Sequence, residues 1–201
     1  TGWVTITSAP GDPSAPRSTY NTLSTARAYS ATNSASITTT LPTLGKFIAD
    51  TSLTNTPGLS VTIGEVITYS VVITVPEGIT RNALVTDTLP SGLAFVKYVG
   101  FTALPGVSAT LPPTITVQSS GQNVTFDLGT ITNGDNDNAT TETIYLTYQA
   151  VVLNTPANTR DITLINSAQM TFLGGSLAPV SAPTVTIVEP HLVVAKSALP
   201  T

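Results

Sequence analysis

Three polar residues stand where an alternating strand pattern calls for apolar ones. In Leu44-Gly45-Lys46-Phe47-Ile48, the lysine shares parity with Leu44 and Ile48. In the run from Ala83 to Leu89, Asp87 shares parity with Ala83, Val85 and Leu89. In the run from Ile162 to Phe172, Asn166 stands in register with Ile162, Leu164, Ala168, Met170 and Phe172. Residues two apart lie on one face of a strand, so an amine, a carboxyl and a carboxamide are each predicted to face the interior. Burial lowers a lysine's pKa and raises an aspartate's. A neutral Lys46 amine is a nucleophile. A protonated Asp87 can hydrogen-bond the Asn166 carbonyl, polarise its carbon and help ammonia leave. The product is a Lys–Asn amide crosslink, made once. Its loop of about 120 residues is worth roughly 4–5 kcal/mol in the chain-entropy treatment of disulfides. Each residue also has a plainer reading. A lysine at a strand end snorkels to water, an aspartate before Thr-Leu-Pro caps a turn, and an inward asparagine bonds backbone or buried water. Glu65 is a rival acid, in phase with Ile63 and Ile67, but it is expected to be solvated at a strand edge.

The elements that must position these groups are strands. Serine and threonine together exceed a quarter of the 201 residues, and Thr and Val fill the patterned segments. Both suit a pleated, half-buried surface. Strands are predicted near 3–7, 26–30, 35–39, 44–49, 60–63, 66–75, 83–88, 94–99, 114–118, 123–129, 143–152, 162–172, 183–188 and 192–196, and no segment carries a capped 3.6-residue period. Many short strands separated by Gly and Pro indicate an all-β sandwich, in which first and last strands can lie side by side. A net charge of −4 without a basic patch argues against nucleic acid as a partner. No apolar run reaches the ~18 residues of a membrane helix. The absence of cysteine rules out disulfide staples and, with so little lysine, suggests an exported bacterial or archaeal protein.

The chain echoes itself. The stretch ending Thr43-Leu44-Gly45-Lys46 and the stretch Pro190-His191-Leu192-Val193-Val194-Ala195-Lys196 both place a lysine at the inward phase, 150 residues apart. The division this predicts is residues 1–41 as closing strands of a preceding repeat or a donor-strand arm, 42–190 as one complete repeat, and 191–201 as the start of the next.

The block Val61–Val96, with Gly64-Glu65, Thr68-Tyr69, Thr86-Asp87-Thr88-Leu89-Pro90 and Gly92-Leu93, resembles the conserved repeat domain of large bacterial and archaeal surface proteins. It is similar to the isopeptide-forming Ig-like domains of fimbriae and adhesins. Val124–Thr132, Tyr145–Asn154 and Asn166–Phe172 resemble that domain's later strands, so the likeness covers about 42–196. It implies an Ig-like β-sandwich repeat with flanking partial repeats. By this resemblance Lys46 is the crosslinking lysine that opens the domain, Asn166 the asparagine of its Asn-small-Ala motif, and Asp87 the acid. It also implies a non-enzymatic structural unit at the cell surface, in an extracellular filament, pilus-like fibre or adhesin stalk. The partners would be copies of itself or neighbouring repeats, joined covalently or by strand exchange.

Thr132–Glu142 concentrates oxygen donors: Asn133, Asp135, Asp137, Asn138 and Glu142. Calcium is the cation such a turn would take, although the spacing is not that of an EF-hand; the plain alternative is a solvated hairpin loop. His191, at a repeat junction, reads as linker. No serine has a Gly-x-Ser-x-Gly context, so a hydrolase has no visible site. The alternative function is an adhesin module that recognises a carbohydrate or protein ligand through loops at 99–113 or 132–142.

Overall fold

The computed structural model describes residues 40–110, 112–135, 142–189 and 196. The chain divides into two units, Thr1–Thr39 and Thr40–Thr201, and every described residue belongs to the second. Its strands, in chain order, are β1 (Thr43–Thr51), β2 (Ser60–Val61), β3 (Val66–Thr74), β4 (Gly78–Thr88), β5 (Leu93–Ala103), β6 (Val107–Ser108), β7 (Thr114–Val117), β8 (Asn123–Asn133), β9 (Thr143–Val152), β10 (Thr163–Leu164), β11 (Ser167–Phe172), β12 (Gly175–Ser176), β13 (Val180–Ser181) and β14 (Val185–Ile187). There is no helix among the described residues, so the all-β fold class holds.

Two antiparallel sheets carry the structure. One runs β1-β3-β9-β5; the other runs β12-β11-β4-β8-β6, with β13 added to β11 and β7 to β8. A small third sheet, β10-β14-β2, includes the parallel pair β14–β2. The core lies between the inner faces, as in a β-sandwich. Ile67, Tyr69, Val71 and Ile73 of β3 and Ile144, Leu146, Tyr148 and Ala150 of β9 are buried, while the residues between them are not. The second sheet supplies Ala83 and Val85 of β4, Phe126 and Leu128 of β8, and Ala168 and Met170 of β11. In β8 the buried phase shifts from Leu128 to Ile131 across Gly129, whose φ of 62° marks a bulge.

The predicted strand over 162–172 is two pieces. Thr163–Leu164 pairs with β14 in the small sheet, and Ser167–Phe172 pairs with β4 in the large one. The chain changes sheets at Ile165–Asn166. Side-chain parity nevertheless continues through the change: Leu164, Asn166, Ala168 and Met170 are all buried and Ile165 is exposed, but Ile162, expected to face inward with them, is exposed because it lies before β10 begins. Three two-residue strands, β6, β12 and β13, are too short to show alternation and were not expected. The expected strands at 3–7, 26–30 and 35–39, and most of the one at 192–196, lie outside the described residues. Lys196, expected to face inward, is exposed and belongs to no strand. Much of the expected loop at 99–113 is strand, in β5 and β6.

An internal clamp joins the turn before β5 to the loop after β9. The buried Asn158 amide donates to the carbonyls of Gly92 and Leu153, both at 2.8 Å. A methyl group at Gly92 would come within 2.2 Å of Asn158 Oδ1 and 2.7 Å of Leu164 Cδ2. Gly92→Ala is therefore expected to destabilise the fold by about 1–3 kcal/mol through overpacking. Urea unfolding checks this; a change below about 0.5 kcal/mol, the scale of neutral surface substitutions, contradicts it.

Candidate functional site: a sealed amine, carboxyl and carboxamide

Lys46 lies in the middle of β1, opposite Val71 of β3, and is 4% exposed. Its flanking residue Phe47 turns outward, so strand parity alone sends the lysine in. Asp87 lies on β4, between Val124 of β8 and Ala168 of β11, and is fully buried. Asn166, 1% exposed, immediately precedes β11, and its carbonyl oxygen accepts from the Ala182 amide at 2.8 Å. The lysine thus comes from one sheet, and the acid and amide from the other. β1 and β11 are not hydrogen-bonded neighbours; they approach each other across the sandwich.

The three predicted groups do come together. Lys46 Nζ donates to Asp87 Oδ2 and, at 2.8 Å, to the hydroxyl of Tyr148. Asn166 Nδ2 donates to the same hydroxyl at 2.7 Å. The amine and the carboxamide nitrogen therefore both bond to one oxygen. Tyr148, on β9, pairs with Tyr69 of β3, and the two rings stack with centroids 5.7 Å apart. Phe95 and Phe126 close the other sides of the Tyr148 ring, at 5.9 and 5.5 Å. Lys46 Nζ lies 5.0 Å from both tyrosine ring centroids.

Burial governs the protonation of this cluster. It pushes the Lys46 amine below its ordinary range, against the attraction of Asp87. It pushes Asp87 up, against Lys46, Tyr148 and Asn166. Both shifts favour the neutral pair over the ion pair, because desolvation penalises each charge. Both tyrosines are pushed up, first by burial and then by the Asp87 charge, so they remain phenols. Two buried acceptors, Asp87 Oδ1 and Asn166 Oδ1, have no donor. Unsatisfied buried acceptors cost about 1–3 kcal/mol each, and a proton on Asp87 would turn one of these acceptors into a donor.

The sequence reading passed over the two tyrosines. Their signal was present: Tyr69 shares parity with Ile67 and Val71, and Tyr148 with Leu146 and Ala150, and a buried tyrosine needs a partner for its hydroxyl. Glu65 corrects an expectation. It is 1% exposed rather than solvated, and its carboxylate accepts from the Thr56 hydroxyl and the Thr62 amide, both at 2.9 Å. It pins the turn before β3. No contact joins it to the lysine.

Of the calcium candidates, Glu142 is buried and accepts from the Asn133 amide at 3.0 Å, and the Asp135 backbone N–H donates to Asn133 Oδ1 at 3.2 Å. Asn133 also donates to the Val75 carbonyl, tying the loop to the end of β3. Asp137 and Asn138 lie outside the described residues. Among the described residues no group of three or more histidine, cysteine or acidic side chains is placed to hold a metal.

Removing the lysine isolates the acid. In Lys46→Met, Asp87 loses the largest influence opposing its upward shift. Its folded pKa then stands well above the unfolded value of about 3.9, and the unfolded chain binds fewer protons than the folded one. The stability this group contributes is therefore present below about pH 4 and is lost as pH rises through the folded pKa. Urea unfolding across pH is expected to show Lys46→Met weakening relative to wild type as pH increases, and a parallel or rising profile contradicts it. At neutral pH, breaking a buried pair in this way costs about 3–5 kcal/mol.

No protein-family model matches the sequence, and neither does any curated protein. Solved structures of three bacterial pilins are similar to it. They are the full-length RrgB pilus protein from Streptococcus pneumoniae, at 18% identity and TM-score 0.47; BcpA, the major pilin subunit of Bacillus cereus, at 17% and 0.41; and the full-length major pilin SpaD from Corynebacterium diphtheriae, at 16% and 0.45. The matches cover 66%, 81% and 71% of this chain but 23%, 49% and 34% of theirs, so the chain spans at most about half the length of each. Identity this low carries no residue roles across.

Proposed function

We propose that this chain is a structural repeat of an extracellular filament, a pilus-like fibre or adhesin stalk, whose two sheets are tied by an amide bond that the protein forms between Lys46 and Asn166. The observation that carries this reading is the convergence of three buried groups on one spot: Lys46 touching Asp87, and Lys46 and Asn166 sharing the Tyr148 hydroxyl. A stability role alone does not call for it, since apolar residues of similar volume are often as good as a buried ion pair or better. The neutral amine attacks Asn166 Cγ while protonated Asp87 polarises the carbonyl. The Cγ–Nδ2 bond breaks, and ammonia leaves. The bond forms once, so the lysine and asparagine are consumed rather than turned over.

A chain without cysteine gains from such a link the constraint a disulfide would give. Placement outside the cell and assembly with neighbouring repeats rest on the resemblance of Val61–Val96 and the later strands to surface-protein repeats. Within that reading, residues 42–190 form the complete repeat, 1–41 close a preceding one or donate a strand, and 191–201 open the next.

Intact mass spectrometry tests the crosslink. The protein is expected to weigh one ammonia less than its sequence, and a digest should yield a branched peptide joining the segments around Lys46 and Asn166. Asn166→Ala should have its full mass and be less stable by about 4–5 kcal/mol, the worth of the closed loop. A wild-type protein of full mass, with Lys46 open to amine reagents after unfolding, rules the bond out.

A further inference from the structure

Resting on the crosslinking reading above, we propose that the Tyr148 hydroxyl is a catalytic residue of that step, carrying a proton from the Lys46 amine to the departing Asn166 nitrogen. The reaction sets a simple accounting problem. A neutral amine has two hydrogens and the product amide keeps one. The Asn166 nitrogen starts with two and leaves with three. One proton must travel from nucleophile to leaving group inside a site closed to water, where Lys46 is 4% exposed and Asn166 1%.

Tyr148 touches both ends of that transfer through a single oxygen. Its oxygen accepts from Lys46 Nζ at 2.8 Å and from Asn166 Nδ2 at 2.7 Å. With its two N–H bonds directed at Asp87 Oδ2 and Tyr148, the neutral amine keeps its lone pair for the carbonyl carbon. The amide nitrogen is not basic at first, because its lone pair is delocalised into the carbonyl. Once Nζ has added to Cγ, Nδ2 acquires a localised pair and becomes the better proton acceptor. The hydroxyl then gives its hydrogen to Nδ2 and takes one from Nζ. The Cγ–Nδ2 bond breaks with its electron pair on ammonia, the carbonyl re-forms, and tyrosine ends as it began.

Asp87 is occupied throughout. One oxygen meets the amine, and the other, without a donor of its own, is free to bear the proton that serves the equally unpartnered Asn166 oxygen. That divides the work: the carboxyl stabilises charge on oxygen, and the phenol moves the proton between nitrogens. Burial keeps the phenol protonated and so able to donate. The stacked Tyr69 ring and the tilted Phe95 and Phe126 rings pack around the Tyr148 ring that carries the hydroxyl.

The test follows bond formation by intact mass in full-length chain freshly made by cell-free synthesis. Tyr148→Phe keeps the ring and its packing and deletes the hydroxyl. It is expected to lose ammonia about 10²–10⁴-fold more slowly than wild type, the usual contribution of a positioned acid–base group. Tyr69→Phe deletes the hydroxyl of the ring stacked on it and is expected to slow the step much less. Should Tyr148→Phe fold poorly, 3-fluorotyrosine placed at 148 keeps ring and hydroxyl while making the phenol more acidic, and the rate is expected to shift. Wild-type speed in Tyr148→Phe, equal slowing in the two phenylalanine variants, or a rate indifferent to fluorination each overturns the relay while leaving the crosslink intact. A wild-type chain that keeps its ammonia defeats the crosslink itself and the relay with it.

Discussion

An amine and a carboxyl pressed together in a dry interior set the terms for this structure. Water would solvate either charge cheaply, and the sandwich admits none: both side chains of the Lys46–Asp87 pair are fully buried. Desolvation drives each partner toward its neutral form, so burial favours a hydrogen bond between an amine and a carboxylic acid over an ion pair. Everything nearby fits that condition. Tyr148 offers a neutral oxygen to the amine, and the aromatic rings around it exclude solvent. The amide of Asn166 sits on the same hydroxyl.

The architecture supplies this contact by bringing residues distant in sequence onto opposite inner faces. Lys46 and the tyrosines belong to β1, β3 and β9 of one sheet, and Asp87 to the central β4 of the other. Asn166 stands where the chain passes from the small sheet to the large one. Its side chain faces inward there, while its backbone carbonyl is satisfied by Ala182. A bond across this gap would join an edge strand of one sheet to the chain entering β11 of the other, the kind of contact that hydrogen-bonded ladders do not reach.

Much of this was legible in the sequence, because period-two alternation is geometry and does not depend on what the side chain is. Lys46, Asp87 and Asn166 were found by phase alone, and phase put them inside. The same signal hid the sheet change at Ile165–Asn166, since parity runs through it unbroken. Phase also put Glu65 inward, and the strand-edge argument that overruled it was wrong: the turn at Gly64, with a φ of 83°, aims that carboxylate at Thr62 and Thr56, and local side-chain bonds leave no periodic trace. Tyr69 and Tyr148 carried the correct phase but passed as ordinary core. That two inward rings from neighbouring strands would deliver a hydroxyl to the lysine depends on register, which a single strand does not reveal.

β5 borders its sheet, and among the described residues it pairs only with β9. Its ladder slips twice, between Phe95 and Lys97 and between Tyr98 and Gly100, leaving Val96 and Val99 bulged outward. A straight incoming strand would find donors and acceptors out of step at two places, with a lysine between them. Such a border resists lateral zippering of like molecules at this edge, because a partner strand could not keep its ladder in step across both slips.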